Sequence, residues 1–230
     1  MSATSRSAFV ARVAAAVRSG NRFREAARPD IVTAAAFSGS GAALIDRLTD
    51  ELIRVGVYVQ RVTDEVQAHA AIRAVVERYA IRRAVRNADP VFDDLGIDAL
   101  LRELGVEVVL PSDLASLDEP ARRDRLFAAD LGIAASDWAI AETGTLVYAA
   151  GPEQTRSATL LPPVHLAVVD AARVLADLVD LPARLAERFV DGVLPRNVAL
   201  VTGPSKTGDI ELKLTTGVHG PGEVHVLISE

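Results

Sequence analysis

The chain has 230 residues, of which half are hydrophobic and only 4% aromatic, and its formal net charge at pH 7 is −6. A chain of this length supports one sizeable core that buries about 70% of the unfolded surface, and its many Ala, Val and Leu residues suit helices packed on a sheet. The acidic balance provides no electrostatic footprint for nucleic acid or an anionic membrane. The absence of cysteine excludes disulfides, thiolate nucleophiles and cysteine-ligated iron–sulfur clusters.

The N-terminal residues predict a short helix over 5–18, followed by the basic, irregular segment 19–30. This segment is either a docking arm for a partner or a linker, and a linker is the more common use of such composition. We therefore divide the chain into an N-terminal helix and arm, residues 1–36, and one α/β domain, residues 37–230. Arg12 and Arg18 interrupt any signal-like apolar run, and no stretch approaches the roughly 20 apolar residues of a membrane span. These features predict a cytoplasmic protein.

Helices alternate with short apolar strands from residue 42 onward. A helix with its apolar stripe at helical spacing runs from Ala42 to Gly56, a strand follows at 57–59, and Thr63 caps a second helix. Further strands are predicted at 83–85, 106–110, 166–169, 198–202 and 223–229, with a helix at 98–104. This alternation indicates α/β crossovers and a mostly parallel sheet.

The segment 136–165 carries the first candidate site. It places Glu142 at the end of an apolar strand, directly before the turn Thr143-Gly144-Thr145 and a second strand. Such a turn presents a carboxylate and backbone N–H groups at the edge of a sheet. A simple hairpin with a solvated glutamate explains the same residues. The polar loop that follows adds Arg156 and Ser157.

A second candidate site follows the strand at 198–202. Its residues are Gly203, Pro204, Ser205, Lys206, Thr207 and Asp209. Placed at the C-terminal end of a buried strand, they offer hydroxyls, a cation and N–H groups for a carboxylate or phosphate. The spacing does not match a Walker A loop, because Ser205 and Leu200 occupy positions that need glycine. An ordinary αβ loop remains the alternative. Asp209 either begins a short helix or pairs with Lys206.

His219 lies among three glycines in the segment 216–222, where it is a candidate general acid or base or simply a solvated residue. The spacing of the histidines matches no metal motif, so no metal site is predicted. The sequence also contains no G-x-S-x-G nucleophile elbow and no G-x-G-x-x-G dinucleotide fingerprint.

Four segments together resemble the LUD-domain family, and within it the lactate utilization protein C type. They are AIAETGTLVY, LLPPVHLAVV, TGPSKTGDIEL and GVHGPGEVHVLI, in matching order over roughly residues 136–228. The resemblance implies a Rossmann-like sheet of the CoA-transferase, ribose-5-phosphate isomerase and glucosamine-6-phosphate deaminase type. It also implies work with two iron–sulfur partner proteins in the oxidation of L-lactate to pyruvate. The lack of cysteine agrees with a subunit that holds no cluster and no cofactor of its own.

A second resemblance concerns Ala141-Glu142-Thr143-Gly144. CoA transferases of this fold carry Ser-Glu-Asn-Gly, whose glutamate attacks an acyl-CoA, and this chain keeps the Glu and the Gly. Three hypotheses follow. In the first, the chain is a subunit that binds a small carboxylate in one site formed by Glu142, Arg156, Ser205, Lys206 and Thr207. Arg156 and Lys206 supply the cationic contacts there, and Glu142 and His219 are the acid/base groups. In the second, it is a stand-alone CoA-transferase-like or sugar-phosphate-isomerase-like enzyme that uses Glu142 as nucleophile or base. In the third, it is a scaffold that docks partners through its N-terminal helix and arm.

Overall fold

The computed structural model describes residues 5–20, 35–188, 195–207 and 215–230. It divides the chain into two compact units, residues 1–34 and 35–230. The first contains helix α1, Arg6–Gly20, which agrees with the predicted helix.

The helices of the second unit, in chain order, are α2 Ala42–Val55, α3 Glu65–Arg78, α4 Val91–Asp94, α5 Ile97–Glu103, α6 Pro111–Ala115, α7 Glu119–Phe127, α8 Arg156–Leu160 and α9 Leu181–Arg188. Its strands are β1 Tyr58–Val62, β2 Arg83–Arg86, β3 Glu107–Val109, β4 Leu131–Ala135, β5 Trp138–Ile140, β6 Thr145–Ala149, β7 Val164–Asp170, β8 Val174–Leu175, β9 Val198–Val201, β10 Lys206–Thr207, β11 Thr215–Thr216 and β12 Glu223–Ser229.

Six strands form the main sheet, in the order β1-β12-β7-β4-β2-β3, and every neighbouring pair is parallel. The predicted α/β class with a parallel sheet is therefore confirmed. Central strand β4 was missed, because its sequence LGIAA is short and follows a helical stretch without a turn signal. Gly132 in this strand is required by packing: a Cβ there would lie 1.8 Å from the carbonyl oxygen of Ala158 on α8.

Apolar residues cover both faces of this sheet. Along β7, Leu166 and Val168 belong to a core cluster with α3 and α5, whereas Ala167 and Val169 belong to a cluster with α2 and β6. This alternation follows from the two-residue period of a strand. Residues buried on both faces also explain why the strands read as continuous apolar runs.

A smaller sheet lies on the α2 side, in the order β8-β5-β6-β9. Strands β5 and β6 are antiparallel, as the predicted hairpin requires, and β9 pairs antiparallel with β6. The sequence had suggested that 198–202 is a buried strand of the main sheet, and this is wrong. Among the described strands, β9 lies at the edge of the small sheet beside β6, and it is only partly buried.

Helix α2 lies between the main sheet and the small sheet. Ile45, Leu48 and Leu52 are buried on one face, and Gly56 ends the helix in the left-handed conformation with φ 97°. The predicted C-terminal glycine is confirmed. The predicted apolar stripe is confirmed at these three residues, whereas Ile53, which the pattern also included, is exposed.

Candidate functional site

The Glu142 turn packs directly against the middle of α2. Gly144 has φ +64°, and a Cβ on it would lie 2.8 Å from backbone atoms of Glu51 and Leu52. One guanidinium nitrogen of Arg47, on the same helix, lies 3.4 Å from the carbonyl oxygen of Glu142. The turn therefore needs glycine for its conformation and for its close approach to the helix.

Glu142 is half-buried and belongs to a pair of carboxyl groups. Its side chain lies beside that of Asp177. The Asp177 carboxylate accepts from the backbone N–H groups of Val179, Phe37 and Ala36 at 3.0, 3.1 and 2.6 Å. These bonds, with Val179 first, hold the pKa of Asp177 below its usual value.

The two predicted segments meet through a row of hydroxyl groups. The oxygen atoms of Thr143 and Thr145 lie 2.7 Å apart, and that of Thr145 lies 2.7 Å from that of Thr202. Thr145 and Thr202 are more than fifty positions apart in the chain, and the pairing of β6 with β9 brings them together.

Lys206 caps the C-terminal end of α2. Its ammonium donates to the carbonyl oxygen of Val55 at 2.6 Å, and the Cβ position of Gly203 lies 2.9 Å from the same oxygen. The carbonyl end of a helix carries partial negative charge, so this contact is favourable. Lys206 and Thr207 form β10 of a short hairpin with β11 rather than an open loop.

His219 lies beside this loop. Its backbone N–H donates to the hydroxyl of Ser205 at 3.3 Å, and Gly217 donates to the Ser205 carbonyl oxygen at 3.0 Å. The imidazole itself is exposed. Asp209, the remaining predicted residue of this group, lies outside the described residues.

Arg156 and Ser157 lie elsewhere, at the start of α8 rather than in a loop. Thr155 next to them donates to the Asn87 side chain at 2.9 Å, just beyond β2. Arg156 lines a small cavity with Ala149, whereas Glu142 precedes the opposite end of β6. Four residue steps of a strand span about 14 Å. The structure therefore does not join Arg156 and Glu142 in one small site.

Tyr148 and His165 form a buried pair that the sequence analysis did not single out. The Tyr148 hydroxyl lies 2.9 Å from His165 Nε2, and His165 Nδ1 lies 3.0 Å from the Gly132 carbonyl oxygen. Because Nδ1 must donate to that carbonyl, neutral Nε2 accepts from Tyr148. Burial lowers the pKa of His165 to about 4 and raises that of Tyr148. The apolar run around His165 is the sequence feature that could have indicated a buried histidine.

The C-terminal edge of the main sheet contains the topological switch point between β2 and β4. The chain leaves β2 toward β3 and leaves β4 in the opposite direction toward β7, which is where open α/β sheets bind ligands. Here buried Arg86 pairs with Asp98 at 2.6 Å, and buried Ser136 follows β4. A cavity of about 110 Å³ opens beside Ser136, Asp170 and Arg173.

Within the described ranges, His, Asp and Glu side chains form no group of three or more that could hold a metal ion. The same ranges contain no helix with the length and apolarity that crossing a membrane requires.

Fold and site together define an α/β protein with a parallel sheet and an added hairpin-containing sheet that carries polar turns. The LUD domain model matches residues 45–229, and the chain belongs to this family. It is 30% identical to lactate utilization protein C of Halalkalibacterium halodurans over 94% of both chains. It is 32% identical to lactate utilization protein C of Geobacillus kaustophilus over 69% of this chain and 67% of that one.

The fold also resembles a solved structure, that of a DUF162 family protein from Deinococcus radiodurans. The TM-score is 0.60 with 21% identity, over 84% of this chain and 100% of that one. This similarity concerns the fold alone.

Proposed function

We propose that this chain acts in lactate utilization as a subunit that handles a small carboxylate and holds no redox centre of its own. The observation that carries the proposal is the similarity to lactate utilization protein C across 94% of both chains. Because the chain has no cysteine, thiolate-ligated clusters would have to reside in iron–sulfur partner proteins.

The carboxylate is proposed to bind where Ser205 and Lys206 follow Thr202, the last member of the Thr143–Thr145–Thr202 hydroxyl row. An ammonium has three N–H donors, and Lys206 uses one of them on Val55. The remaining donors and the exposed position of Lys206 leave its charge available to an anion. Thr207, Gly203 and Pro204 shape the loop, while Glu142 and His219 are the proposed acid/base groups.

The test is calorimetric titration of the full chain with L-lactate and pyruvate. Lys206→Gln is expected to weaken binding at least tenfold, because it removes the cation and keeps a polar side chain. Arg156→Gln is the matched control, since it removes an exposed cation at the other end of β6, and it should leave the affinity unchanged.

Two results would contradict this placement. Loss of binding in Arg156→Gln but not in Lys206→Gln would move the site to the C-terminal edge of the main sheet. No binding of either ligand to the unaltered chain would overturn carboxylate handling itself. A ligand at 100 times its Kd should also add about 2.7 kcal/mol to the free energy of unfolding, which thermal shift detects.

The second candidate function is that of a CoA-transferase-like enzyme with Glu142 as nucleophile. It is favoured by the Glu–x–Gly turn, whose glycine has a positive φ and packs on the backbone of α2. Incubation with an acyl-CoA, followed by mass spectrometry, should then reveal a mass added at Glu142 that is absent in Glu142→Gln. An unmodified peptide would argue against it.

A further inference from the structure

A cavity of about 230 Å³ lies between helix α3 and the main sheet, next to strand β1. Leu166 and Leu227 line it, and both belong to the core cluster that contains α3. Helix α2, which Lys206 caps, packs on the opposite face of this sheet. Most walls of the cavity are apolar, and its polar side chains are those of Tyr58, Gln60, Arg78 and His225.

The guanidinium group of Arg78 lies at this cavity without an acidic partner. Its carbon atom lies 4.9 Å from the ring centre of Tyr58 and 5.3 Å from that of Tyr79, and one nitrogen donates to the Tyr58 hydroxyl at 3.3 Å. Among the described residues, no carboxylate lies within ion-pairing distance of this group. A guanidinium has five N–H donors. Most donors of Arg78 therefore remain for a ligand.

The acid of this region, Glu223, is bound by tyrosine instead. The Tyr79 hydroxyl donates to Glu223 Oε2 at 3.1 Å, and the same hydroxyl lies 3.2 Å from Nε2 of His225. Because the hydroxyl proton is used on Glu223, the hydroxyl oxygen accepts from the Nε2–H group. Burial lowers the pKa of His225 to about 4, and a neutral imidazole has only one N–H group. Nδ1 of His225 is therefore an acceptor.

This acceptor has no partner within the described part of the chain. His225 is 9% exposed, and Nε2 is its hydrogen-bonded atom there. Nδ1 is not among the polar atoms of these ranges that are both fully enclosed and unbonded, so it is accessible from the cavity that His225 lines. An unpaired acceptor in such a position costs free energy. A ligand with an O–H group would satisfy it.

We propose that this cavity binds a monocarboxylic acid with a short hydrocarbon body and a hydroxyl group. The carboxylate accepts paired N–H bonds from Arg78, and the hydroxyl donates to Nδ1 of His225. The hydrocarbon body contacts Ala71, Val75 and Leu227. The volume of about 230 Å³ is below that of sites for drug-sized ligands, so the ligand is small. L-Lactate, with a single methyl group as its body, would leave most of the apolar wall uncovered.

The test compares matched probes by calorimetric titration of the full chain. 2-Hydroxyhexanoate and 6-hydroxyhexanoate carry both polar groups, with the hydroxyl at either end of the hydrocarbon body; hexanoate lacks the hydroxyl and 1-hexanol lacks the carboxylate. At least one hydroxy acid should bind about fivefold more tightly than hexanoate, and 1-hexanol should bind about tenfold more weakly than hexanoate. The nitrogen NMR resonance of His225 Nδ1 should shift with that hydroxy acid and stay in place with hexanoate.

Three variants make the test specific. Arg78→Gln should raise the Kd of the hydroxy acid about tenfold. Arg102→Gln is the matched control and should not change the Kd, because Arg102 is likewise an exposed arginine in the last turn of a helix, α5. Ala74 lines the cavity from an exposed position of α3. Ala74→Leu should therefore fill the cavity and abolish binding, while it keeps the Tm within about 2 °C.

The proposal is overturned if neither hydroxy acid binds more tightly than hexanoate, or if Arg78→Gln or Ala74→Leu binds like the unaltered chain. It is also overturned if no probe gives saturable heat. Lys206→Gln should leave the Kd of the hydroxy acid unchanged. Binding lost in Lys206→Gln but kept in Arg78→Gln would show that the probes enter the Lys206 site, which would refute the cavity site and leave the proposed function standing.

Discussion

At the scale of single residues, the interior holds two neutral histidines on neighbouring strands of the main sheet. His165 lies between Tyr148 and the Gly132 carbonyl group. His225 stacks on Tyr58 with ring centres 4.8 Å apart, and its Nε2 lies 3.2 Å from the Tyr79 hydroxyl. Burial is the first cause that lowers the pKa of each to about 4. Both therefore act as hydrogen-bonding core residues at neutral pH.

These pKa values predict acid destabilisation. Each folded-state pKa of about 4 lies below the ordinary 6.5, so the unfolded chain binds more protons between these values. The stability is fully present above pH 6.5 and is lost as the pH falls toward 4, by up to about 1.4 kcal/mol per pH unit for each histidine. Urea unfolding at pH 7, 6 and 5 measures this slope.

The variant His165→Gln should flatten that slope even where it lowers the stability at pH 7, because it removes one titrating group. His219→Gln, at an exposed loop position, should keep the original slope. A slope unchanged in His165→Gln would show that the buried imidazole does not govern the response.

At the scale of elements, α2 organises the candidate site. The Glu142 turn packs on its middle through Gly144, and Lys206 and Gly203 pack on its C-terminal end. The helix thus fixes the distance between the proposed acid/base residue and the proposed cation. A substitution that disrupts either contact with α2 is therefore expected to disturb both contacts.

Gly144→Ala tests the first contact. Gly144 and Gly105 have similar φ values, +64° and +71°, but a Cβ at Gly144 would lie 2.8 Å from the α2 backbone, and a Cβ at Gly105 would meet no atom within 4 Å. Both substitutions place a side chain at positive φ, which costs about 1 kcal/mol or more. Gly144→Ala should cost about 2 kcal/mol beyond Gly105→Ala, because the backbone of α2 cannot move aside. Equal losses in chemical denaturation would contradict this contact.

At the scale of the whole molecule, residues 35–230 form a compact unit with its own core on both faces of the main sheet. The exposed apolar residues Phe9, Val13 and Val17 of α1 suit a docking helix, which is the remaining scaffold hypothesis. The division at residues 36 and 37 stays a prediction. A docking function of α1 would be measured as assembly of the chain with the proposed iron–sulfur partner proteins.

Deletion of residues 1–34 separates these roles. The shortened chain should keep its Tm within about 2 °C and bind L-lactate as the full chain does, because the core and the Lys206 loop remain. A loss of partner assembly with lactate binding intact would support docking through the N-terminal helix. A fall in Tm of many degrees would show instead that this segment stabilises the fold.

The sequence alone determined the α/β class, the α2 helix with its glycine end, and the β5–β6 hairpin, because periodicity and turn residues are local signals. It also supplied the motifs of the LUD-domain family. Only the tertiary structure decided that β9 belongs to the small sheet, that Lys206 caps α2 and that Arg156 lies apart from Glu142. These facts depend on strand pairing between residues far apart in the chain, which no local pattern specifies.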